Sequence, residues 1–353
     1  MNLYDCTLYI EDLEDTARRL ECQDILKNNS ILVAGASGLI GSYIVDVLLT
    51  ANRILDTNIT VFALGRNQKR LEKRFEGIKT EKLIYIEHDI QNPLVHDVKA
   101  DYIIHAASNA YPAVFAEDPV GTMMSNMVGT FQLLEYARKS ASKRFLFVSS
   151  GEVYGQYDGT SAAYREEYSG YIDILQPRSC YPSSKRAAET LCCSYRKQYG
   201  TDVVIARPCH IYGPNVTDSD NRATVQFIDN VCHGKDIVLK SAGNQLRSYC
   251  YIADCVSALF TILFKGAGGE AYNIANSSAE VTIAQFAHIV AEQSGRKVVF
   301  VSPDQKALSE RSPISRQVLD SEKLEELGWH GEFTVPKGIN HILRILEQGK
   351  KIK

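Results

Sequence analysis

An α/β fold, a parallel sheet wound with helices on both faces and followed by a smaller lobe, is predicted by three features of this sequence. Residues 31–50 read as a buried strand, a glycine-rich turn and a helix. From there to Ala206, short apolar runs alternate with helical patterns, the rhythm of strands joined by helical crossovers. Beyond residue 210 that rhythm breaks into short helices, loops and isolated apolar runs.

The first feature carries the most chemistry. Ile31 to Ala34 is an apolar run suited to a strand buried on both faces. Gly35, Gly38 and Gly41 follow at a spacing of three, and Leu39, Ile40, Ile44, Val45, Val47, Leu48 and Leu49 supply the inner face of a helix. Gly35 permits a tight turn, Gly38 lets backbone N–H groups approach a pyrophosphate, and Gly41 lets the helix pack close to the strand. The helix N-terminus then turns free N–H groups and the positive end of its dipole toward phosphate. Gly35, Ser37, Gly38, Leu39, Ile40 and Gly41 are therefore expected to hold NAD or NADP in a Rossmann-type domain.

Bulk composition narrows the remaining classes. The chain has 353 residues, 45% hydrophobic and 23% charged, enough for a large α/β domain plus a lobe. A net charge of -3 gives no reason to expect nucleic acid or an anionic membrane as partner. No apolar run approaches ~18 residues, so no membrane span is expected. Residues 1–10 lack a basic patch followed by an apolar segment. The 9 cysteines, an odd count without a C-x-x-C pair, read as reduced thiols of a cytoplasmic protein, with Cys192 and Cys193 packing a helix. No His/Cys/Asp set has metal-ligand spacing, so no metal is expected.

Taken in order, residues 1–30 place Leu8, Ile10, Leu13, Ala17 and Leu20 at roughly helical spacing, predicting a helical extension that leans on the main domain or on a second subunit. Ile59 to Leu64 is the second strand. Where dinucleotide folds place an acidic residue for the ribose 2′-hydroxyl, this strand runs into Gly65-Arg66-Asn67, so Arg66 is a candidate for a 2′-phosphate or for stacking on adenine. Leu83 to Glu87 is the third strand, with His88, Asp89 and Ile90 beyond it beside the adenine. Tyr102 to His105 is the fourth; the small Ala106, Ala107 and Ser108 at its exit leave room for a flat cofactor, while His105 is expected in the core. A helix over residues 120–140 leads to the fifth strand, Phe145 to Val148, and Val203 to Ala206 is the sixth. Residues 31–209 thus form the dinucleotide domain, 210–335 mainly the substrate lobe with two segments returning to the sheet, and 336–353 a C-terminal helix.

Tyr181 and Lys185, four apart, share one helix face. An ammonium and a cationic nicotinamide would favour tyrosinate. Such a phenolate takes a proton from a sugar hydroxyl as hydride leaves its carbon, with Ser150 holding the same hydroxyl.

These pieces together resemble the extended short-chain dehydrogenase/reductases of the nucleotide-sugar epimerase, dehydratase and decarboxylase group. The likeness runs from Ile31 to about Trp329. It is carried by the glycine turn, His105-Ala-Ala, Asp118-Pro-Val-Gly-Thr, Asn126-Met-Val-Gly-Thr, Ser149-Ser-Gly-Glu-Val-Tyr-Gly155, Tyr181/Lys185, Arg207-Pro, Tyr212-Gly-Pro214 and Gln245-Leu-Arg-Ser-Tyr-Cys-Tyr-Ile-Ala-Asp254. The resemblance implies a tightly held NAD or NADP, a nucleotide-diphosphate sugar oxidised at its 4-hydroxyl, and a homodimer paired through the Tyr181 helix. It implies Tyr181 as base, Lys185 as its modulator and a cofactor ligand, Asn126 and Pro208 as further cofactor contacts, and Ser150 and Glu152 as sugar contacts. His210 and Arg247 would meet the diphosphate.

Within the group, Pro177-Arg-Ser-Cys-Tyr181 and Glu152 are most similar to UDP-glucuronate decarboxylases. A 4-epimerase and a 4,6-dehydratase stay open, although Glu152 is unusual in the first and Gly151 replaces the usual Asp of the second. Three departures stand out: Pro182-Ser-Ser184 in place of Asp-Glu-Gly, His210 in place of Asn, and Gly65-Arg66 in place of an acidic strand end. A non-catalytic dinucleotide-binding sensor is the competing class; the intact Ser150, Tyr181 and Lys185 argue against it.

Overall fold

The computed structural model describes residues 2–20, 23–95, 98–159, 162–217, 220–302 and 314–351. Its centre is strand β1 (Ser30–Ala34), which pairs in parallel with β2 (Thr60–Gly65) on one side and β4 (Tyr102–His105) on the other. Strand β3 (Leu83–Glu87) extends the sheet past β2, and β5 (Arg144–Val148), β6 (Val203–Pro208) and β10 (Ala271–Ile274) extend it past β4, giving seven parallel strands. The order reverses at β1, so the crevice at the strands' carboxyl ends opens there.

Alternation along β1 divides the core into two layers. Ile31 and Val33 join a cluster on one face, and Leu32 and Ala34 join a second cluster on the other. A strand buried on both faces needs helices on both. Helix α3 (Leu39–Leu55) packs on β1 and β2, while α6 (Pro119–Lys139) packs on β4 and β5 and α7 (Cys180–Tyr199) packs on β6. The start of α6 is set locally: Asp118 caps it by accepting from the Gly121 N–H at 2.8 Å, and Pro119 takes the position where no N–H is needed.

The helical extension exists and leans on the main domain. Helix α1 (Thr7–Arg18) lies against α3, followed by the short α2 (Gln23–Leu26). Asp46 of α3 accepts hydrogen bonds from Tyr4 at 2.7 Å and Tyr9 at 2.5 Å, and pairs with Arg74 of α4 (Gln68–Arg74). Asp12 meets the Tyr251 hydroxyl at 2.7 Å and His341 Nδ1 at 2.8 Å in the C-terminal helix Val335–Lys351. The extension therefore ties the glycine-turn helix to the last helix of the chain.

The second lobe is built around β9 (Leu246–Tyr251). It pairs in parallel with β7 (His210–Tyr212) and β13 (Arg316–Gln317) and antiparallel with β11 (Glu280–Thr282). A two-stranded sheet joins β8 (Ile237–Leu239) and β12 (Val298–Phe300). Of the segments after residue 210, strand β10 joins the main sheet and helix α9 (Ile252–Lys265) packs against it. Two expectations need correction. Cys193 is exposed on α7 and only Cys192 packs, because adjacent helical residues point about a quarter-turn apart. Strand β9 begins at Leu246, three residues before the apolar run Tyr249 to Ile252 that the sequence offers as a strand, because pairing with β11 and β13 overrides the polar Arg247 and Ser248. Residues 303–313 of the expected lobe, and Cys22, lie outside the described residues.

Candidate active site

The cleft is seated by the glycine turn. Gly35 adopts φ +84°, and a Cβ there would stand 2.7 Å from the Ala107 Cα at the end of β4. A Cβ at Gly41 would strike the Gly35 carbonyl oxygen. The N–H groups of Gly35 and Ala36 both donate to the Leu64 carbonyl, at 3.0 and 3.1 Å. The turn is thus wedged between the ends of β2 and β4, and the cleft of about 550 Å³ runs over it from Arg66 to Arg247.

Midway along stand the hydroxyls. Ser150 leaves β5 in extended conformation and caps a 3₁₀ turn (Gly151–Tyr154), its Oγ accepting from the Glu152 N–H at 3.1 Å. Tyr181 opens α7, and its ring stacks on Phe115 of α5 (Pro112–Glu117) with centroids 4.6 Å apart. Burial pushes the Tyr181 phenol up to about 12, against the pull of a hydrogen bond with Ser150. Lys185 lies one turn on, with Nζ 5.9 Å from the Tyr181 ring centroid, donating to the Val148 carbonyl at 2.8 Å. Burial lowers it to about 7. The expected downward pull of Lys185 on the phenol is therefore not what this geometry produces; desolvation dominates both groups.

The far end is rich in arginine. Glu152 pairs with Arg178 at 3.0 Å, and the Arg178 guanidinium lies 4.8 Å from the Phe115 ring centroid on its way to the Tyr181 stack. Arg222 forks onto Asp220, at 2.7 Å for the closest contact, and also donates to the Ile211 carbonyl. Arg247 is buried and donates to the carbonyls of Leu246 (2.9 Å) and Ile314 (2.5 Å), with no carboxylate paired to it among the described residues. His210 has a buried Nδ1 without a hydrogen-bond partner; burial, then Arg247 and Arg222, lower its pKa to about 3, so it is neutral.

Nearly all the residues singled out from sequence line this one cleft: Gly35, Ser37, Gly38, Leu39, Ile40, Gly41, Arg66, Asp89, Ile90, Ala106, Ala107, Ser108, Ser150, Glu152, Tyr181, Pro208, His210 and Arg247. Two do not. Asn126 is fully buried behind the wall, accepting from Ser108 at 2.8 Å and donating to Ser184 at 2.9 Å. Lys185 is likewise behind it, its ammonium held by Val148. Both support lining residues rather than face the cleft. His105 is a core residue: burial, then Lys185, lower its pKa to about 3, and Nε2 meets Thr130 at 3.1 Å. Sequence reasoning missed Arg178, Arg222 and Arg70. Arg178 stands in the quoted Pro177-Arg-Ser-Cys-Tyr181 stretch and was within reach; Arg70 reads from sequence only as part of a basic, solvated helix with Lys69, Lys73 and Arg74, and Arg222 carries no pattern.

A glycine cradle that any side chain would fill, at a helix N-terminus on the reversing edge of a parallel sheet, fits a dinucleotide. Fold and site thus define a dinucleotide-binding α/β protein with Ser150 and Tyr181 midway along its cleft and Lys185 behind them. A model of the NAD dependent epimerase/dehydratase family matches residues 31–275, and this chain belongs to that family. It is 32% identical over 88% of its length to UDP-glucuronic acid decarboxylase 1 of Xenopus tropicalis, of which it covers 70%. It is also 32% identical to UDP-glucuronic acid decarboxylase 3 of Arabidopsis thaliana, covering 88% of this chain and 87% of that one. Among solved structures, the UDP-glucuronic acid 4-epimerase of Bacillus cereus, in complex with UDP-glucuronic acid and NAD, superposes with a TM-score of 0.75 at 22% identity, over 90% of this chain and 99% of that one. The NAD-bound dTDP-glucose 4,6-dehydratase of Streptomyces venezuelae superposes with a TM-score of 0.76 at 24% identity, over 92% and 98%.

Proposed function

We propose that this chain converts a nucleotide-diphosphate sugar through a transient 4-keto form, and that the sugar is a uronic acid which leaves decarboxylated, as from UDP-glucuronate. One observation carries the reading. A single cleft places Ser150, Glu152 and Tyr181 between the glycine cradle and a buried arginine, Arg247, that has no carboxylate paired to it among the described residues. A buried guanidinium so placed favours an anion such as a diphosphate. The decarboxylases at 32% identity support decarboxylation over the alternatives, as does Glu152 following Gly151.

The residues from Gly35 to Gly41 would hold the pyrophosphate, with Arg66, Asp89 and Ile90 at the adenosine and Ala106, Ala107, Ser108 and Pro208 along the flat walls. When bound, the oxidised nicotinamide supplies a hydride acceptor and a positive charge beside the phenol. Tyr181 takes the proton of the 4-hydroxyl and Ser150 holds that oxygen. The Lys185 ammonium, ready to lose a proton near neutral pH, stands behind Tyr181 as its modulator. A 4-ketone lies β to the C6 carboxylate, so the C5–C6 bond breaks with its electron pair drawn into the 4-carbonyl as CO₂ leaves, and C5 then takes a proton; return of the hydride to C4, with Tyr181 giving its proton back to the 4-oxygen, would restore the hydroxyl and leave no net oxidation. Glu152, held by Arg178, is placed to exchange protons near that side of the ring.

A homodimer is part of this reading. Val120, Met123, Met124, Met127 and Phe131 form an exposed apolar stripe at helical spacing on α6, beside α7, and such a stripe favours a second copy. The eight described cysteines are unpaired, which suits the reducing cytoplasm. The test is a mass spectrum of products after incubation with UDP-glucuronate. Loss of CO₂ is expected. A uronate returned intact with inverted C4 would make the chain an epimerase, and water lost from a neutral UDP- or dTDP-hexose a dehydratase. No turnover across the panel, with dinucleotide still bound, would leave a sensor.

A further inference from the structure

We propose that the adenosine end of the cleft is built for a dinucleotide carrying a 2′-phosphate, NADP, and that Arg66 and Arg70 select it. The inference rests on the dinucleotide reading of the cleft and is independent of which sugar is processed. The ribose next to adenine sits at the end of the second strand of such folds, where a carboxylate pairs with a free 2′-hydroxyl and an arginine accommodates a 2′-phosphate. Here the glycine turn rests directly on the end of β2 through the Leu64 carbonyl, so Arg66 begins two residues from the turn's own support. Gly65, Arg66, Asn67 and Arg70 line this end of the cleft together.

No carboxylate is in position to take the 2′-hydroxyl. Gly65 ends the strand with no side chain. Glu87, its register partner on β3, is absent from the cleft wall and accepts from the Gln68 N–H at 3.3 Å. Asp89, which does line the cleft, accepts from the Gln91 N–H at 3.0 Å on the adenine side. The two guanidiniums differ from the other cleft arginines in having neither an ion pair nor a side-chain hydrogen bond among the described residues. Arg178 is bound to Glu152, Arg222 to Asp220, and Arg247 to two carbonyls. Exposure alone would make them ordinary surface arginines. Their shared place on the wall, one turn apart with Asn67 capping the helix between them through the Arg70 N–H at 2.9 Å, is what points to a ligand. A dianionic phosphate between two forked cations gains charge-assisted hydrogen bonds that a ribose hydroxyl cannot make.

The experiment begins with the purified full chain. Nucleotide released on denaturation is identified by mass spectrometry, and NADP is expected; NAD as the bound species overturns the proposal. If the chain purifies without nucleotide, 2′,5′-ADP and 5′-ADP are titrated by calorimetry at fixed ionic strength, since salt weakens both. The 2′-phosphorylated ligand is expected to bind about tenfold tighter or more. Equal affinities overturn the proposal. Arg66→Met and Arg70→Met should each shrink the ratio by weakening 2′,5′-ADP more than 5′-ADP, and Arg66→Lys should restore part of it; a ratio indifferent to both substitutions refutes the residue assignment. Bound NAD together with decarboxylated product would sink this inference and spare the proposed reaction. Bound NADP with no turnover on any nucleotide sugar would do the reverse.

Discussion

The two ends of the cleft treat arginine in opposite ways. At the end proposed for the sugar, Arg178, Arg222 and Arg247 are at least partly buried and each is held, by Glu152, by Asp220, or by the carbonyls of Leu246 and Ile314. At the end proposed for the adenosine, Arg66 and Arg70 are exposed and unheld among the described residues. A charge taken out of water needs partners or it destabilises the fold, whereas a charge left in water needs none. The sugar end is therefore preorganised at a cost in stability if disturbed. The adenosine end is adaptable and can be altered without harm to the fold.

The largest effect that would sharpen this contrast lies at the preorganised end. Tyr181→Phe removes the proton acceptor but keeps the ring stacked on Phe115, so turnover should fall by roughly 10²–10⁴-fold while dinucleotide binding is retained. Wild-type turnover in that variant would reject Tyr181 as the base.

A matched pair of substitutions comes next. Arg222→Met strands the Asp220 carboxylate, whose side chain is 4% exposed, and should cost about 2–3 kcal/mol in denaturant unfolding. Arg66→Met should change stability by less than about 0.5 kcal/mol. Equal losses from the two would break the comparison.

The smallest effect is a pH slope. His105 is buried and His210 half-buried with its Nδ1 enclosed, and both have pKa values lowered to about 3, in each case by desolvation first. An unfolded imidazole takes its proton near ~6.5. Between those values the unfolded chain binds more protons than the native one, so stability is full above ~6.5 and falls as the pH drops toward 3. Unfolding midpoints measured across that window should decline, and His210→Asn should flatten the decline. An unchanged slope in the variant would mean that His210 is not held neutral in the fold.

Legibility differed between the halves for a physical reason. The glycine turn, the strand exits and Tyr181 were readable because their spacing along one strand, turn or helix is itself the geometry. The departure at Gly65-Arg66 was readable too, as a missing carboxylate at a known place on a strand. Asn126 and Lys185 were placed at the cleft from their position in motifs. The structure sets both one layer back, because Ser108 and Val148 intervene and take their hydrogen bonds. Arg222 was invisible because it belongs to no periodic pattern, and Arg70 was legible only as one basic residue of a solvated helix; each matters only through where its loop or short helix comes to rest.

The N-terminal extension shows the same divide within one element. Its helical spacing was plain, yet nothing in the sequence says that Tyr4 and Tyr9 would reach Asp46, or that Asp12 would meet His341 across 329 positions of chain. By itself the sequence determined the dinucleotide cradle, the alternating strands and helices, and the hydroxyl–phenol pair, since these depend on local backbone freedom and on periods of two and 3.6. Only tertiary structure decided which arginines are bound and which are free, how far burial moves the Tyr181 and Lys185 protons, and which motif residues face the cleft. Those outcomes depend on desolvation and on partners contributed from distant parts of the chain.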